Sequence, residues 1–198
     1  MAKLSYTRGS GLLEGFLAKK RAQKANSFIS KDFRKGRVLD IGCGSYPYFL
    51  INTDFNEKYG IDPSLKLSEI IDNKLNLRTI DITKTRPPFS DNYFDVVTML
   101  AVFEHLDNDK LVPILKEIKR VLKKEGLLFI TTPAPWADKL LHFMARTGLI
   151  SKEEIHEHKT HYTRTKIEDI INKAGFKKEK IKNGYFELGF NMWFTAVK

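Results

Sequence analysis

The stretch RVLDIGCGSYPYF, residues 37–49, decides the fold, because a short apolar run ends there in an aspartate and a turn with two glycines. Gly42 and Gly44 have no Cβ, so the backbone can take positive φ values and approach a ligand closely. Ligands of open parallel sheets bind where strands end and helices begin. The stretch therefore predicts either a nucleotide-binding turn or a strand that runs into an ordinary loop, and other segments must decide.

Short β-rich apolar runs alternate with helical patterns between residues 37 and 132, which is typical of parallel strands joined by helical crossovers. Strands are predicted at 37–41, 58–62, 76–81, 94–99 and 126–132. Helices are predicted at 11–30, 64–73, 108–124 and 164–174. We expect the third helix to begin at Asp107 or Asn108 and to stop at Gly126, and the fourth to begin at Thr163 or Thr165 and to close at Gly175. Residues 176–198 predict two strands around Lys182-Asn183-Gly184, a hairpin.

Length and charge predict one domain with a basic flank. A chain of 198 residues suits a single core, which we place at 37–198, with 1–36 as a basic N-terminal helical extension that forms a cap or lid. Residues 1–37 carry eight of the ten net positive charges. Such a flank suits RNA, an anionic lipid surface or a phosphorylated metabolite, and a solvated lysine-rich helix is the alternative interpretation.

Other features of the composition bear on the compartment. No apolar run approaches the roughly 20 residues of a membrane helix, and the N-terminus lacks the pattern of a secretory signal. We therefore expect a cytoplasmic protein. The single cysteine, Cys43, excludes an internal disulfide and a multi-cysteine zinc site.

Two further aspartates favour the nucleotide-binding interpretation of the opening stretch. Asp62 ends the second predicted strand, where a carboxylate accepts hydrogen bonds from ribose hydroxyls, and Asp81 ends the third, where it could accept a hydrogen bond from an adenine amino group. A nicotinamide dehydrogenase would need a third glycine at Pro47, and no phosphate-binding P-loop motif occurs.

The motifs RVLDIGCG, GIDPS, IDITKTRPPFSDNYFDVVTMLAVFEHL, EIKRVLKKEGLLFITTP and HYTRTKIEDIINKAGF resemble, in this order, the class I S-adenosylmethionine-dependent methyltransferases, and in particular their type-11 group. The resemblance covers residues 37–176. It implies an α/β fold, with a single Rossmann-like, doubly wound, mostly parallel seven-stranded sheet that ends in a C-terminal antiparallel hairpin. It also implies S-adenosyl-L-methionine as the cofactor.

The same resemblance assigns the cofactor-binding residues. Those at the methionine end and beside the methyl group would be Asp40, Gly42, Cys43, Gly44, Leu100 and Ala101. Asp62 would hold the ribose, Pro63 would pack against the adenine, and Asp81 with the backbone of Ile82 would contact the adenine edge.

The chain departs from the family pattern at two places. Tyr46 stands where a third glycine is common, and Lys124-Glu125-Gly126 replaces a Pro-Gly-Gly turn. We expect Tyr46 to point into the core, and the alternative is that it narrows the cofactor pocket. Cys43 is expected to face the cofactor or the core as a small residue and not to act as a nucleophile.

His105 is the first candidate for a general base, because it comes after the fourth predicted strand close to where the family places cofactor and acceptor. The alternative is that Glu104 and His105 brace the next helix. Some similar methyltransferases hold a divalent metal with Glu-x-x-Glu-His, but Ala101 occupies the first ligand position here. We expect no metal requirement. His156, His158 and His161 are alternative ligands, or they bond locally or line an acceptor pocket.

The residues just after the fourth predicted strand constrain the acceptor. Leu100-Ala101-Val102-Phe103 replaces the Asn-Pro-Pro-Tyr type of clamp used on exocyclic base amines. The apolar segment 136–150 predicts an acceptor lid or a helix packed on the sheet. We expect methyl transfer to oxygen or nitrogen of a small molecule, sugar or lipid-linked acceptor, with peripheral membrane contact as an option. The alternatives are an RNA ribose methyltransferase and a non-catalytic cofactor-binding module.

Overall fold

The computed structural model describes residues 14–65, 74–137 and 162–198. Seven strands form one sheet in the order β3-β2-β1-β4-β5-β7-β6. The strands are β1 (Arg37–Ile41), β2 (Glu57–Ile61), β3 (Leu75–Arg78), β4 (Phe94–Leu100), β5 (Leu122–Pro133), β6 (Ile181–Phe186) and β7 (Asn191–Val197). The first five are parallel, and β7 runs antiparallel to β5 and β6. The predicted Rossmann-like sheet with a C-terminal antiparallel hairpin is confirmed.

Five helices accompany the sheet within the described ranges: α1 (Glu14–Phe28), α2 (Lys31–Arg34), α3 (Tyr48–Ile51), α4 (Asn108–Val121) and α5 (Arg164–Lys173). None of the described helices is long and apolar enough to cross a membrane. As predicted, Thr163 caps α5, its Oγ1 accepting the Lys166 backbone N–H at 3.3 Å, and Gly175 comes after the helix with φ +96°.

The third predicted helix ends earlier than its pattern indicates. α4 stops at Val121, because Leu122 is extended and pairs with Phe94 as the first residue of β5. Leu122 is fully buried, so tertiary packing takes it into the strand. Gly126, the expected helix stop, lies inside β5 instead.

The predicted hairpin forms, but its turn does not lie at Lys182-Asn183-Gly184. Those residues belong to β6, and the chain reverses between Phe186 and Asn191. Gly184 packs against the Trp193 side chain, and a Cβ on it would come within 2.8 Å of the indole ring. The third strand ends at Arg78, three residues before the predicted end. Most of the predicted helix 64–73, residues 66–73, lies outside the described residues.

The core has two parts, one on each face of the sheet. α4 and α5 cover one face, and α1 and α3 cover the other. Ala22, Ala25 and Ile29 are buried there, and the Phe28 ring lies 4.3 Å from that of Trp193. The N-terminal segment from Ala22 onward therefore belongs to the core, and the predicted lid is a proposal for the residues before it.

Candidate functional site

The turn after β1 has two glycines with different surroundings. Gly42 and Gly44 both have left-handed backbones, with φ of +71° and +74°. A Cβ on Gly42 would lie 2.3 Å from Val102 Cγ2, so the Val102 side chain already fills that space. The nearest atom to a Cβ on Gly44 would be the Tyr46 carbonyl oxygen at 3.9 Å. Gly44 is thus where a ligand has room to approach the backbone.

Asp40 lies in β1 just before this turn and is almost fully buried, with 3% of its surface exposed. Thr98 is its register partner on β4 and donates a hydrogen bond from Oγ1 to Asp40 Oδ1 at 2.6 Å. Burial raises the pKa of Asp40 to about 7; the Thr98 bond offsets part of this and the Asp62 charge adds to it. A cation bound beside Asp40 would keep its carboxylate ionised at neutral pH.

Asp62 comes directly after β2, as predicted, and its carboxylate joins two turns. Its Oδ2 accepts the Gly44 N–H at 3.1 Å, and its Oδ1 accepts the Ser64 N–H at 2.7 Å and the Ser64 hydroxyl. The Gly42 N–H donates to the Ile61 carbonyl at 2.8 Å. These bonds hold the glycine turn against the end of β2, so Asp62 shapes the site as well as lying in it.

Asp81 lies three residues beyond β3, in a turn of its own. Its Oδ1 accepts the Thr83 N–H at 2.9 Å and the Thr83 hydroxyl at 2.6 Å, while Oδ2 pairs with Lys84 Nζ at 3.1 Å. These bonds lower the pKa of Asp81, so the carboxylate is ionised at neutral pH. Pro63 is exposed and Ile82 is partly buried, and the adenine-contact roles of all three stay predictions.

The end of β4 brings a strained residue beside the glycine turn. Ala101 has a φ of +56°, a left-handed value that costs a non-glycine residue roughly 1 kcal/mol. Its N–H donates to the Thr131 carbonyl oxygen at 3.0 Å and lies 3.2 Å from Thr131 Oγ1. Leu100 and Ala101 are both partly exposed. This anchoring holds the strained backbone where Val102 can cover Gly42.

Cys43 packs into the core. It is buried, its Sγ would lie 2.9 Å from a Cβ on Gly60, and burial raises the pKa of the thiol well above its usual value. A thiol that resists ionisation is a poor nucleophile, as expected from the sequence.

Tyr46 does not point into the core as expected. It stays partly exposed, with its ring 6.4 Å from that of Tyr48. The chain turns at Pro47 into the short helix α3, whose Phe49 and Leu50 occupy the buried positions instead.

Glu104 and His105 form a single 3₁₀ turn, Phe103–His105, after β4. His105 is partly buried and donates its backbone N–H to the Val102 carbonyl at 3.1 Å. Glu104 is only 3% exposed, and within the described residues its Oε2 has no hydrogen-bond partner. Buried carboxylate oxygens are nearly always hydrogen-bonded, so this atom marks Glu104 as a candidate ligand contact.

Within the described part of the chain, no group of three or more His, Cys, Asp or Glu side chains is arranged so that it could hold a metal ion. His156, His158 and His161 lie outside the described residues.

Several contacts of the site were not anticipated from the sequence. Thr98 on Asp40, Ser64 on Asp62 and Val102 over Gly42 all depend on strand register and turn geometry. Serine two residues after an aspartate is a known turn pattern, so Ser64 could have been found. The buried Asp62 carboxylate contacts the open Gly44, and the buried Asp40 carboxylate lies in the strand just before the turn, an arrangement that suits a ligand with positive charge and hydroxyl groups.

Comparison with protein families matches residues 14–181 to the family described as "Methyltransferase domain". One relative, an uncharacterized protein of Methanocaldococcus jannaschii, is 29% identical over 168 residues, covering 75% of this chain and 65% of that protein. O-methyltransferase 3 of Dictyostelium discoideum is 27% identical over 162 residues, covering 73% of this chain and 37% of its own length. A second uncharacterized M. jannaschii protein is 40% identical over 100 residues, half of this chain and 40% of that one. The chain thus spans less than two thirds of each of these relatives.

Solved structures share the fold. A S-adenosylmethionine-dependent methyltransferase from Archaeoglobus fulgidus superposes with a TM-score of 0.70 at 20% identity, covering 92% of this chain and 94% of that one. Phosphoethanolamine N-methyltransferase 2 of Haemonchus contortus, solved with S-adenosyl-L-methionine, gives a TM-score of 0.64 at 18% identity, covering 91% of this chain and 52% of that one.

Proposed function

This chain belongs to the class I S-adenosylmethionine-dependent methyltransferases, and from that premise we propose that it methylates oxygen or nitrogen of a small, amphiphilic acceptor. The observation that carries the proposal is the turn after β1, where the buried Asp62 accepts the N–H of the open Gly44 and the buried Asp40 comes just before the turn.

The residues of this turn fit the cofactor of the family. S-adenosylmethionine supplies a methyl group on a positively charged sulfur. We assign Asp40 to its positively charged methionine end, and the open backbone at Gly44 to the close approach of the same portion. Asp62, held by Gly44 and Ser64, is assigned to the ribose hydroxyls.

The adenine contacts and the methyl-group contacts come from neighbouring strand ends. Pro63, which is exposed, is assigned to the adenine face, and Asp81 with the Ile82 backbone to its edge. Leu100 and Ala101, fixed by Thr131, are assigned to the side where the methyl group leaves. Methyl transfer is an in-line displacement, so holding these elements rigidly contributes to catalysis by positioning.

The side of the site next to β5 supports an apolar acceptor surface. Trp136 lies just beyond the carboxyl end of β5 and 4.6 Å from the Phe190 ring, with 55% of its own surface exposed. An exposed indole with an aromatic neighbour suits an acceptor that has an apolar portion, which a sugar or a lipid-linked intermediate would offer.

Acceptor hydroxyls and protonated amines need a base. His105 is our candidate from the sequence, and Glu104 is a second one because its Oε2 is buried without a partner in the described residues.

The proposal is tested by incubating the protein with cofactor labelled in the methyl group and a lipid extract, a sugar-phosphate mixture or RNA. Label recovered in the organic phase or in small molecules, and absent with an Asp62→Ala variant, supports it. Label that enters only RNA would replace it with the second candidate.

That second candidate is RNA ribose methylation. The net charge of +10 suits RNA, and a tRNA U34 carboxymethyltransferase of Campylobacter lari is 33% identical over 106 residues, 50% of this chain and 36% of that enzyme. RNA binding that weakens steeply with salt, with a slope of several released counterions, would favour it.

Cytoplasmic location and lid action by the N-terminal residues are part of the same proposal. Because Ala22, Ala25 and Ile29 are core residues, deleting residues 1–13 tests a lid without opening the core. Unchanged cofactor affinity and turnover in that deletion would contradict a lid formed by those residues.

A further inference from the structure

The turn between β6 and β7 exposes apolar surface at the edge of the molecule. Leu188 is 95% exposed. Trp136, which is 55% exposed, lies beside the same turn, because a Cβ on Gly189 would come within 3.2 Å of its Cζ2 atom. We call Trp136 and Leu188 the hairpin tip.

The backbone of the turn does not favour leucine. Glu187, Leu188 and Gly189 succeed one another with φ of +52°, +55° and +90°, so three successive residues are left-handed. Glycine and asparagine adopt such values far more readily than leucine. Since Leu188 is almost fully exposed, packing within the described residues does not account for a leucine at this position.

Positive side chains flank the hairpin tip. Burial raises the pKa of Glu187, and the charges of Arg21 and Lys20 on α1 oppose this rise, so both basic residues lie near the turn. On the other side of the turn, the Arg164 guanidinium lies 5.1 Å from the ring of Tyr185. The exposed surface around the hairpin tip thus has basic groups on both faces of the sheet.

This surface lies at the same edge of the sheet as the proposed cofactor site. Asn191 pairs with Pro133 at the carboxyl end of β5, and the Ala134 N–H donates to the Phe190 carbonyl at 2.8 Å. The glycine turn at Gly42 lies at the carboxyl end of β1, which is parallel to the β4–β5 pair.

We propose that this edge docks on an anionic lipid bilayer, with Leu188 and Trp136 entering the interface and Lys20, Arg21 and Arg164 facing the head groups. Tryptophan is favoured at membrane interfaces, and basic residues are attracted to anionic lipid. An aliphatic Leu188 suits lipid better than RNA, whose bases stack on aromatic and planar groups. The orientation of the active site toward the bilayer rests on the proposed function, whereas the docking itself needs neither cofactor nor acceptor.

The test measures binding of the full chain to vesicles made of equal parts phosphatidylserine and phosphatidylcholine, and to vesicles of phosphatidylcholine alone, by co-sedimentation. The main variant is Leu188→Asn, which suits a left-handed φ and is expected to fold at least as stably, as checked by denaturation. Lys20→Glu is compared with Lys178→Glu, a charge-matched control at an exposed residue before β6, at the opposite end of that strand.

We expect binding to the anionic vesicles only, weakened about 10-fold by Leu188→Asn and by Lys20→Glu but not by Lys178→Glu. In a Trp193→Phe background, vesicles should shift the emission of Trp136 to the blue. Equal losses of vesicle binding in the two lysine variants, or no loss with Leu188→Asn, would overturn the proposal. Attraction by the net charge of the chain would then explain the binding. A dimer that Leu188→Asn disperses would assign the tip to a second copy instead. Calorimetric cofactor binding is scored separately, so failure of docking and failure of the proposed function are distinguishable.

Discussion

Replacing Asp40 with asparagine should make the cofactor-free protein more stable at alkaline pH. Asp40 is 3% exposed, and burial raises its pKa from 3.8 to about 7. The folded chain therefore holds a proton that the unfolded chain loses between these pH values, so the free energy of unfolding falls as pH rises through this window. Three pKa units correspond to about 4 kcal/mol, which is the stability that we expect the variant to gain at pH 8.

The Asn side chain still offers an oxygen to the Thr98 hydroxyl, which donates the 2.6 Å bond. Asp40→Asn should therefore match the wild type within about 1 kcal/mol at pH 4 and exceed it at pH 8. Urea denaturation without cofactor at both pH values measures this, with exposed Asp54→Asn as the control. A variant that is equally or less stable than the wild type at pH 8 would refute the raised pKa of Asp40.

Three other sets of substitutions probe the site. Gly42→Ala should destabilise the fold by about 3 kcal/mol in denaturation, since its methyl group would lie 2.3 Å from Val102 Cγ2. Gly44→Ala should cost only about 1–2 kcal/mol of backbone strain, but it should weaken cofactor binding measured by calorimetry. Similar stability losses in the two variants would contradict the difference between the glycines. Thr98→Val should reduce stability more at pH 8 than at pH 5, because it removes the bond that lowers the pKa of Asp40; a loss independent of pH would contradict that coupling. Glu104→Gln should lower turnover about 100-fold with cofactor affinity unchanged if Glu104 is the base, and unchanged turnover there with a loss in His105→Gln would assign the base to His105.

The strand pattern of the first five strands could be read from the sequence because buried parallel strands are short apolar runs that alternate with amphipathic helices. Its errors lie where tertiary contacts override local signals. Leu122 continues a helical pattern but joins β5. Gly184 resembles a turn residue but lies within β6, where the absence of a Cβ lets the Trp193 ring pack against it.

The candidate site divides in the same way. Asp40, Asp62 and the two glycines could be found because acidic residues and glycines at strand ends have a chemical meaning in sequence. Thr98 against Asp40 and the unpartnered Oε2 of Glu104 depend on register and burial, which one sequence does not contain. The prediction that Tyr46 points into the core is wrong because the chain turns at Pro47, and this turn places Phe49 and Leu50 at the buried positions.

The central claim is that the turn after β1, closed by Asp62, holds the methyl donor. Calorimetric titration of S-adenosylmethionine into the wild type and into Asp62→Ala tests it most directly, with exposed Asp54→Ala as the control. Asp62 would lose both its ribose contact and its bonds to Gly44 and Ser64, so we expect single-site binding that the Asp62 variant weakens at least about 100-fold and the control leaves unchanged. Equal affinity in all three proteins would contradict the assignment.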